Sequence, residues 1–275
     1  MFRIGGVSYL NSRPLTMALR GESAAERGGY VYTEAVPSQL AELLDAGELD
    51  VSLLSSIEAF RHPDTVILSD AAIASAGPVQ SVRLFGRVPP DRVRRVALDA
   101  GSRTSLVLTR ILLRRWLVQP IEYVPFPLGA EMATLEADAC LVIGDRGMFP
   151  AVAPWNAWCL DLAEGWNRLT GLPFVFAIWI ARSGAGVAEK SSDDLTRLAA
   201  KLGQARDDGV RRLEAIAASE GPRIGICVAD ALDYFRRSLR FRLGNAERAG
   251  LAEFARLAVE DGEISSAAPL KIVTG

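Results

Sequence analysis

Two extended segments, Gly77-Pro78-Val79-Gln80-Ser81-Val82-Arg83-Leu84-Phe85 and Pro173 to Ala181, bracket a stretch that alternates strand and helix by itself. That stretch reads as strand Val93–Asp99, a helix from Ser105 to Trp116, strand Ile121–Val124, a short helix Glu131–Ala137 and a buried strand Ala139–Ile143. Before it come strand Phe2–Val7, apolar residues at helical spacing from Pro14 to Leu19, and strand Tyr30–Glu34. A helix capped by Ser38 and ended by Gly47 leads on to strand Val51–Leu54, completing a β-α-β unit of parallel strands. From Ser191 onward the pattern is almost wholly helical, with Ser192 as a cap and amphipathic runs at Ala229–Leu239 and Ala246–Val259. A chain that leaves one α/β unit, builds a second and returns has two lobes. The expected fold class is α/β, with lobe 1 from residues 1–86 and 181–275, lobe 2 from 87–180, and two crossing strands. One continuous doubly wound sheet is the alternative. A bilobed chain takes its ligand in the cleft where strand ends and helix N-termini converge, and hinge closure is its expected motion.

Composition narrows the partner. Basic residues number 31 against 33 acidic ones, for a net charge of −2, and are dispersed along the chain. No basic footprint for nucleic acid appears. Cys140, Cys159 and Cys227 are widely spaced and, with the single His62, form no familiar zinc pattern. They read as reduced thiols of a cytoplasmic protein. The N-terminal segment lacks the basic and apolar regions of a secretory signal. The longest apolar stretch, Leu172 to Ala181, is about half of the ~20 residues that a membrane-spanning helix needs. The expected partner is a small molecule in the cytoplasm, with no nucleic acid and no membrane insertion.

The opening stretch Val7-Ser8-Tyr9-Leu10-Asn11-Ser12-Arg13-Pro14-Leu15 gathers hydroxyls, a phenol, an amide and a guanidinium at a strand end. Asn11 or Ser12 precedes a helix opened by Pro14, so either the residue caps that helix or the helix N-terminus holds an anion. Lobe 2 repeats the arrangement: strand Val96–Asp99 runs through Gly101-Ser102-Arg103-Thr104-Ser105 into a helix, and capping is again the simpler reading. Two such ends, one per lobe, suit a ligand with two anionic groups. Ser55 and Ser56 end a strand, Ser81 lies in the first crossing, and Gly144-Asp145-Arg146 follows a buried strand, where Asp145 can also cap a turn. His62 precedes Pro63 in an expected surface loop. No G-x-G-x-x-G, P-loop, G-x-S-x-G or H-E-x-x-H motif is present. The candidate cleft is short of an obvious general base, as a pure binding site would be.

The opening stretch resembles the N-terminal signature of the chorismate dehydratases of the futalosine route to menaquinone. Further family-like stretches follow in order: Leu53-Leu54-Ser55-Ser56-Ile57-Glu58, Gly77 to Val82, Ser102 to Ser105, Val142 to Asp145 and Leu169 to Ala177. Gly86 departs from the pattern, which more often has serine there. So does Ala163-Glu164-Gly165-Trp166, which is less acidic than usual. The resemblance implies a type II periplasmic-binding-protein-like fold used as an enzyme. It implies conversion of chorismate to 3-[(1-carboxyvinyl)oxy]benzoate and water, with no cofactor and no metal. On that basis Asn11 and Ser81 are the expected catalytic residues. Ser8, Tyr9, Ser12, Arg13, Ser55, Ser56, Ser102, Arg103, Thr104, Ser105 and Asp145 are the expected substrate-binding ones. The expected base is the substrate's own enolpyruvyl carboxylate, with Asp145 or Glu58 as the competing candidates. Two rival functions share the fold: the later futalosine-route enzyme that makes 1,4-dihydroxy-6-naphthoate, and a non-catalytic solute-binding protein.

Overall fold

Parallel strands need a crossover to return the chain to the same edge of a sheet, and the first third supplies two. In a computed structural model that describes residues 1–20, 29–149, 154–182, 190–267 and 269–275, β1 (Phe2–Val7) lies parallel between β2 (Tyr30–Ala35) and β3 (Val51–Ser55). The crossovers carry a short helix α1 (Arg13–Thr16), flanked by 3-10 turns, and α2 (Pro37–Asp45). Another short helix, α3 (Glu58–Arg61), leads to β4 (Thr65–Ser75).

The second sheet contains β5 (Val82–Gly86), β6 (Arg95–Asp99), β7 (Glu122–Phe126), β8 (Ala139–Ile143) and β9 (Trp158–Asp161), with α4 (Arg103–Trp116) between β6 and β7. The chain returns through α5 (Leu162–Thr170) into β10 (Phe174–Arg182). It ends with α6 (Ser192–Arg211), α7 (Leu213–Glu220), α8 (Val228–Asp233), β11 (Arg240–Arg242), α9 (Asn245–Glu260) and β12 (Lys271–Val273).

The first sheet runs β11-β4-β10-β3-β1-β2, with β12 beside β4, and the second runs β7-β6-β8-β5-β9. The wiring repeats. In each sheet a strand arriving from the other sheet, β10 or β5, inserts antiparallel between two others.

This pairing corrects the boundaries expected at 86/87 and 180/181. Val82–Gly86 is a strand of the second sheet and Phe174–Arg182 a strand of the first, so the chain crosses at 76–81 and 171–173. A free-standing crossing strand would leave its backbone polar groups unpaired, and insertion satisfies them on both edges. Burial of β10 along its whole length explains its unbroken apolar run.

Other boundaries also move. Pro37, not Ser38, opens α2, which has no side-chain cap. Ser191, not Ser192, caps α6, in a reciprocal pair with Asp194. Met132–Thr134 is a single 3-10 turn where a helix is expected. The run Ala229–Leu239 splits into α8 and a π-helical turn, Tyr234–Ser238.

The lobes share one floor. Trp166, Phe174, Phe176 and Phe254 pack edge to face, with ring centroids 4.8–6.1 Å apart. Helix α9 packs on both β10 and α4. Arg110 meets Glu263 at 2.8 Å and Arg115 meets Asp261 at 2.7 Å, which ties α4 to the segment around the end of α9. Among the described residues no helix is long and apolar enough to cross a membrane.

Gly86, where serine is more usual, has a local cause. The Trp158 indole lies across it, 2.0 Å from where a Cβ would stand, and donates Nε1–H to the Val88 carbonyl at 2.6 Å. Gly86→Ser is therefore expected to destabilise the fold by about 1–3 kcal/mol, read as a lowered midpoint of urea unfolding at unchanged slope.

Candidate active site

The strand-end turn after β1 is built by the residues that do not face the cleft. Ser12 Oγ reaches the carbonyls of Val7 (2.6 Å) and Tyr9 (2.8 Å), bending the chain back rather than capping α1. Arg13 is buried, with Nη2 on the Ser8 carbonyl (2.6 Å) and ion pairs to Glu34 (2.7 Å) and Glu220 (3.1 Å). Ser8, Ser12 and Arg13 are thus struts of the turn and do not line the cavity, unlike the expectation.

The anion site expected at this helix start is also taken. Leu10 N–H donates to Asp145 Oδ1 at 2.8 Å, so a carboxylate from the second lobe occupies it. Burial pushes the Asp145 carboxyl up, opposed first by that N–H. Tyr9 and Asn11 remain to line the cavity. Asn11 Oδ1 is buried and has no hydrogen-bond partner. Such an oxygen is costly unless a ligand supplies a donor.

In the second lobe Ser102 caps α4, accepting from Ser105 N at 3.2 Å, and its hydroxyl reaches Ser105 Oγ at 3.0 Å. Both serines line the cavity at the positive end of a 14-residue helix. Their neighbours face the other lobe instead. Thr104 Oγ1 accepts from Ile57 N at 3.1 Å and lies 3.4 Å from Ser56 Oγ, which donates to the Val175 carbonyl at 2.6 Å. Arg103 reaches the buried Glu58 carboxylate at 3.3 Å. Ser56, Arg103, Thr104 and Asp145 are therefore ties between lobes rather than lining groups, because the closed lobes turn those side chains onto each other. Ser55 does line the cavity, and so does Pro37. The first lobe's helix end at the site belongs to α2, not α1.

Ser81 sits on the most constrained backbone of the site. Ser81 N–H donates to the Val79 carbonyl at 2.8 Å, closing a three-residue γ-turn around Gln80, whose φ is +64°. That positive-φ turn is strained for a non-glycine residue. The Asp161 carboxylate holds it, accepting from Val79 N (3.0 Å) and Gln80 N (2.7 Å) while also capping α5 through Ala163 N (3.0 Å) and Glu164 N (3.2 Å). Ser81 Oγ accepts from Tyr234 Oη at 2.8 Å.

The space between the lobes, about 460 Å³ including its opening to solvent, is lined by residues of both sheets. Its apolar walls include Val7, Ile73, Val79, Val82, Ile143 and Phe176. Gly144, at φ +65°, allows the Tyr9 ring to lie against it, 2.9 Å from where a Cβ would stand. No carboxylate, imidazole or cationic side chain is among the described residues that line the cavity. Glu58, one candidate base, is buried among Arg61 (2.8 Å), Arg103 (3.3 Å) and Arg182 (3.9 Å). His62 is half-buried and away from the lining. Sequence reasoning missed Asp161 and Tyr234. Each reaches Ser81 or its turn from a distant part of the chain, and no local spacing marks either.

A cleft between two sheets of one wiring, with each side donating polar groups to a shared cavity, is the two-lobed fold of the periplasmic-binding-protein type. Solved structures share it. Protein AF1704 from Archaeoglobus fulgidus superposes with a TM-score of 0.70 at 15% identity, covering 96% of this chain and 98% of that one. The periplasmic aliphatic sulphonate binding protein SsuA from Escherichia coli gives 0.64 at 19% identity, covering 97% and 89%. Residues 2–260 match the menaquinone biosynthesis family, and the chain belongs to that family. The chorismate dehydratase of Thermus thermophilus is 32% identical over 268 residues, 92% of this chain and 93% of that protein. The chorismate dehydratase of Campylobacter jejuni is 26% identical over 175 residues, 63% and 64% of the two chains.

Asp161→Ala removes a cap and unpairs the N–H groups of the strained turn. It is expected to cost about 2–4 kcal/mol in guanidinium unfolding and to leave the helix content of the folded protein close to wild type by circular dichroism.

Proposed function

We propose that the protein is a hydro-lyase of menaquinone biosynthesis that converts chorismate to 3-[(1-carboxyvinyl)oxy]benzoate and water. Family membership and the dehydratase relative of nearly equal length support the reaction. The observation that carries the mechanism is a cavity supplied with hydroxyl and amide groups but with no carboxylate or imidazole among its described lining.

Chorismate has a ring carboxylate and an enolpyruvyl carboxylate. The start of α4, with Ser102 and Ser105, suits one of them, and the start of α2 at Pro37 faces the same space. The reaction removes the hydrogen at C3 and the hydroxyl at C4, and an aromatic ring forms. In our reading the enolpyruvyl carboxylate takes the C3 proton. The C3–H electron pair becomes a ring π bond as the C4–O bond breaks, and the same proton leaves with the hydroxide as water. Protons and electrons balance within the substrate. The protein then has to orient the substrate and stabilise developing charge. Asn11 Oδ1 takes the proton of the C4 hydroxyl in a hydrogen bond, which satisfies its unpartnered oxygen. Ser81 donates to the C4 oxygen as negative charge grows on it. A dianion crosses a bilayer poorly, which supports placing the enzyme in the cytoplasm beside the reactions that make its substrate.

Purified protein incubated with chorismate is expected to yield the aromatic product, followed by absorbance and mass. Bound but unchanged chorismate would instead identify a binding protein. Asn11→Ala is expected to lower kcat by about 10²–10³-fold with an unaltered circular dichroism spectrum; near-normal turnover removes Asn11 from the mechanism. Asp145→Asn and Glu58→Gln are each expected to keep kcat within about tenfold, since neither group is asked to move a proton. A loss of several orders of magnitude in either variant would sink substrate-assisted proton transfer.

A further inference from the structure

Ser81 is the one hydroxyl of the cavity lining whose hydrogen bond reaches a side chain from the C-terminal helices among the described residues. Tyr234 opens the π-helical turn Tyr234–Ser238, and the two ends of that turn hold consecutive residues of the first crossing. Tyr234 Oη donates to Ser81 Oγ at 2.8 Å, and Ser238 Oγ accepts from Gln80 Nε2 at 2.9 Å. Single π-helical turns inside helices are frequent at functional sites. Tyr234 and Ser238, four residues apart and so on one face of the turn, both reach the strained γ-turn around Gln80.

We propose that Tyr234 is a positioning residue of the dehydration, acting through Ser81; this rests on the chorismate dehydratase reading. A serine hydroxyl has one proton and two lone pairs. With the phenol proton on one lone pair, the Ser81 hydrogen is free to point at a substrate oxygen, and hydrogen bonds in such a chain strengthen each other. The phenol is fully buried. Burial pushes its pKa well above that of a free phenol, against smaller opposing effects of hydrogen bonding by Ser81 and Asn11. It therefore stays a donor over the working pH range. Tyr234 lies beside both cavity residues assigned to the C4 hydroxyl, which no local reading of either motif reveals.

Steady-state kinetics on the full chain with chorismate test this. Tyr234→Phe keeps the ring and is expected to lower kcat about 10- to 100-fold, the loss of one hydrogen bond at the reacting centre, with KM within about threefold. Ser81→Ala should lower kcat at least as far, and the double variant should be no slower than Ser81→Ala alone. Losses that multiply in the double variant, or a kcat unchanged in Tyr234→Phe, overturn the role. If Tyr234→Phe does not fold, 3-fluorotyrosine at position 234 keeps the phenol and makes it a stronger donor. It must then raise kcat at constant KM, and an unchanged kcat overturns the role. Wild-type protein that leaves chorismate intact overturns the dehydratase reading together with this role. Wild-type protein that dehydrates it, beside an unaffected Tyr234→Phe, overturns this role alone.

Discussion

The Asp161 carboxylate is the interaction on which the site depends. It accepts four backbone N–H bonds, two from the first crossing at Val79 and Gln80 and two from the first turn of α5. Helix α5 leads into the second crossing and on to β10. One side chain therefore fastens the exit from the first sheet to the element that begins the return. Burial pushes the Asp161 carboxyl up, opposed by those four N–H groups, and together they hold a turn whose φ a non-glycine residue seldom adopts. The strain at Gln80 is carried by Asp161 and Ser238, which leaves the neighbouring Ser81 in a defined place.

Closure of the lobes divides the polar residues near the cleft into two sets. Leu10 N–H on Asp145, Ile57 N–H on Thr104 and Arg103 on Glu58 join one lobe to the other. Tyr9, Asn11, Ser55, Ser81, Ser102 and Ser105 line the space between them. A substrate with two negative charges would meet helix ends and neutral donors there rather than a bound cation from the described lining. That suits a reaction in which charge moves within the substrate and returns to water. In the proposed mechanism, a strongly basic or acidic group in the same pocket would compete for the proton assigned to the substrate's own carboxylate.

Much of this was legible in residue order. The strand end at Val7, the turn through Asn11, the Ser102 cap and the alternation around each sheet all rest on local spacing, and local spacing determines backbone conformation over a few residues. The rest depends on contacts that local spacing does not record. Pro14 marks a helix start, but α1 is too short to project an N-terminus, and Asp145 caps its entry from the other lobe. Strand β4 carries no alternation because it is buried along nearly its whole length, and Ser69, at φ +73°, interrupts it. The crossings looked like free extended segments because their apolar runs do not reveal which sheet will take them.

By itself the sequence determined an α/β chain of two units, two serine- and asparagine-bearing turns at strand ends, and a resemblance strong enough to point to one family. Periodicity, capping chemistry and ordered motifs are properties of neighbours along the chain. Only the tertiary structure decided which polar residues face the substrate space and which are spent holding the lobes together. Only it brought Asp161 and Tyr234 to Ser81, across 80 or more positions of sequence. Those contacts depend on how two sheets close over a shared floor, and no local spacing records that.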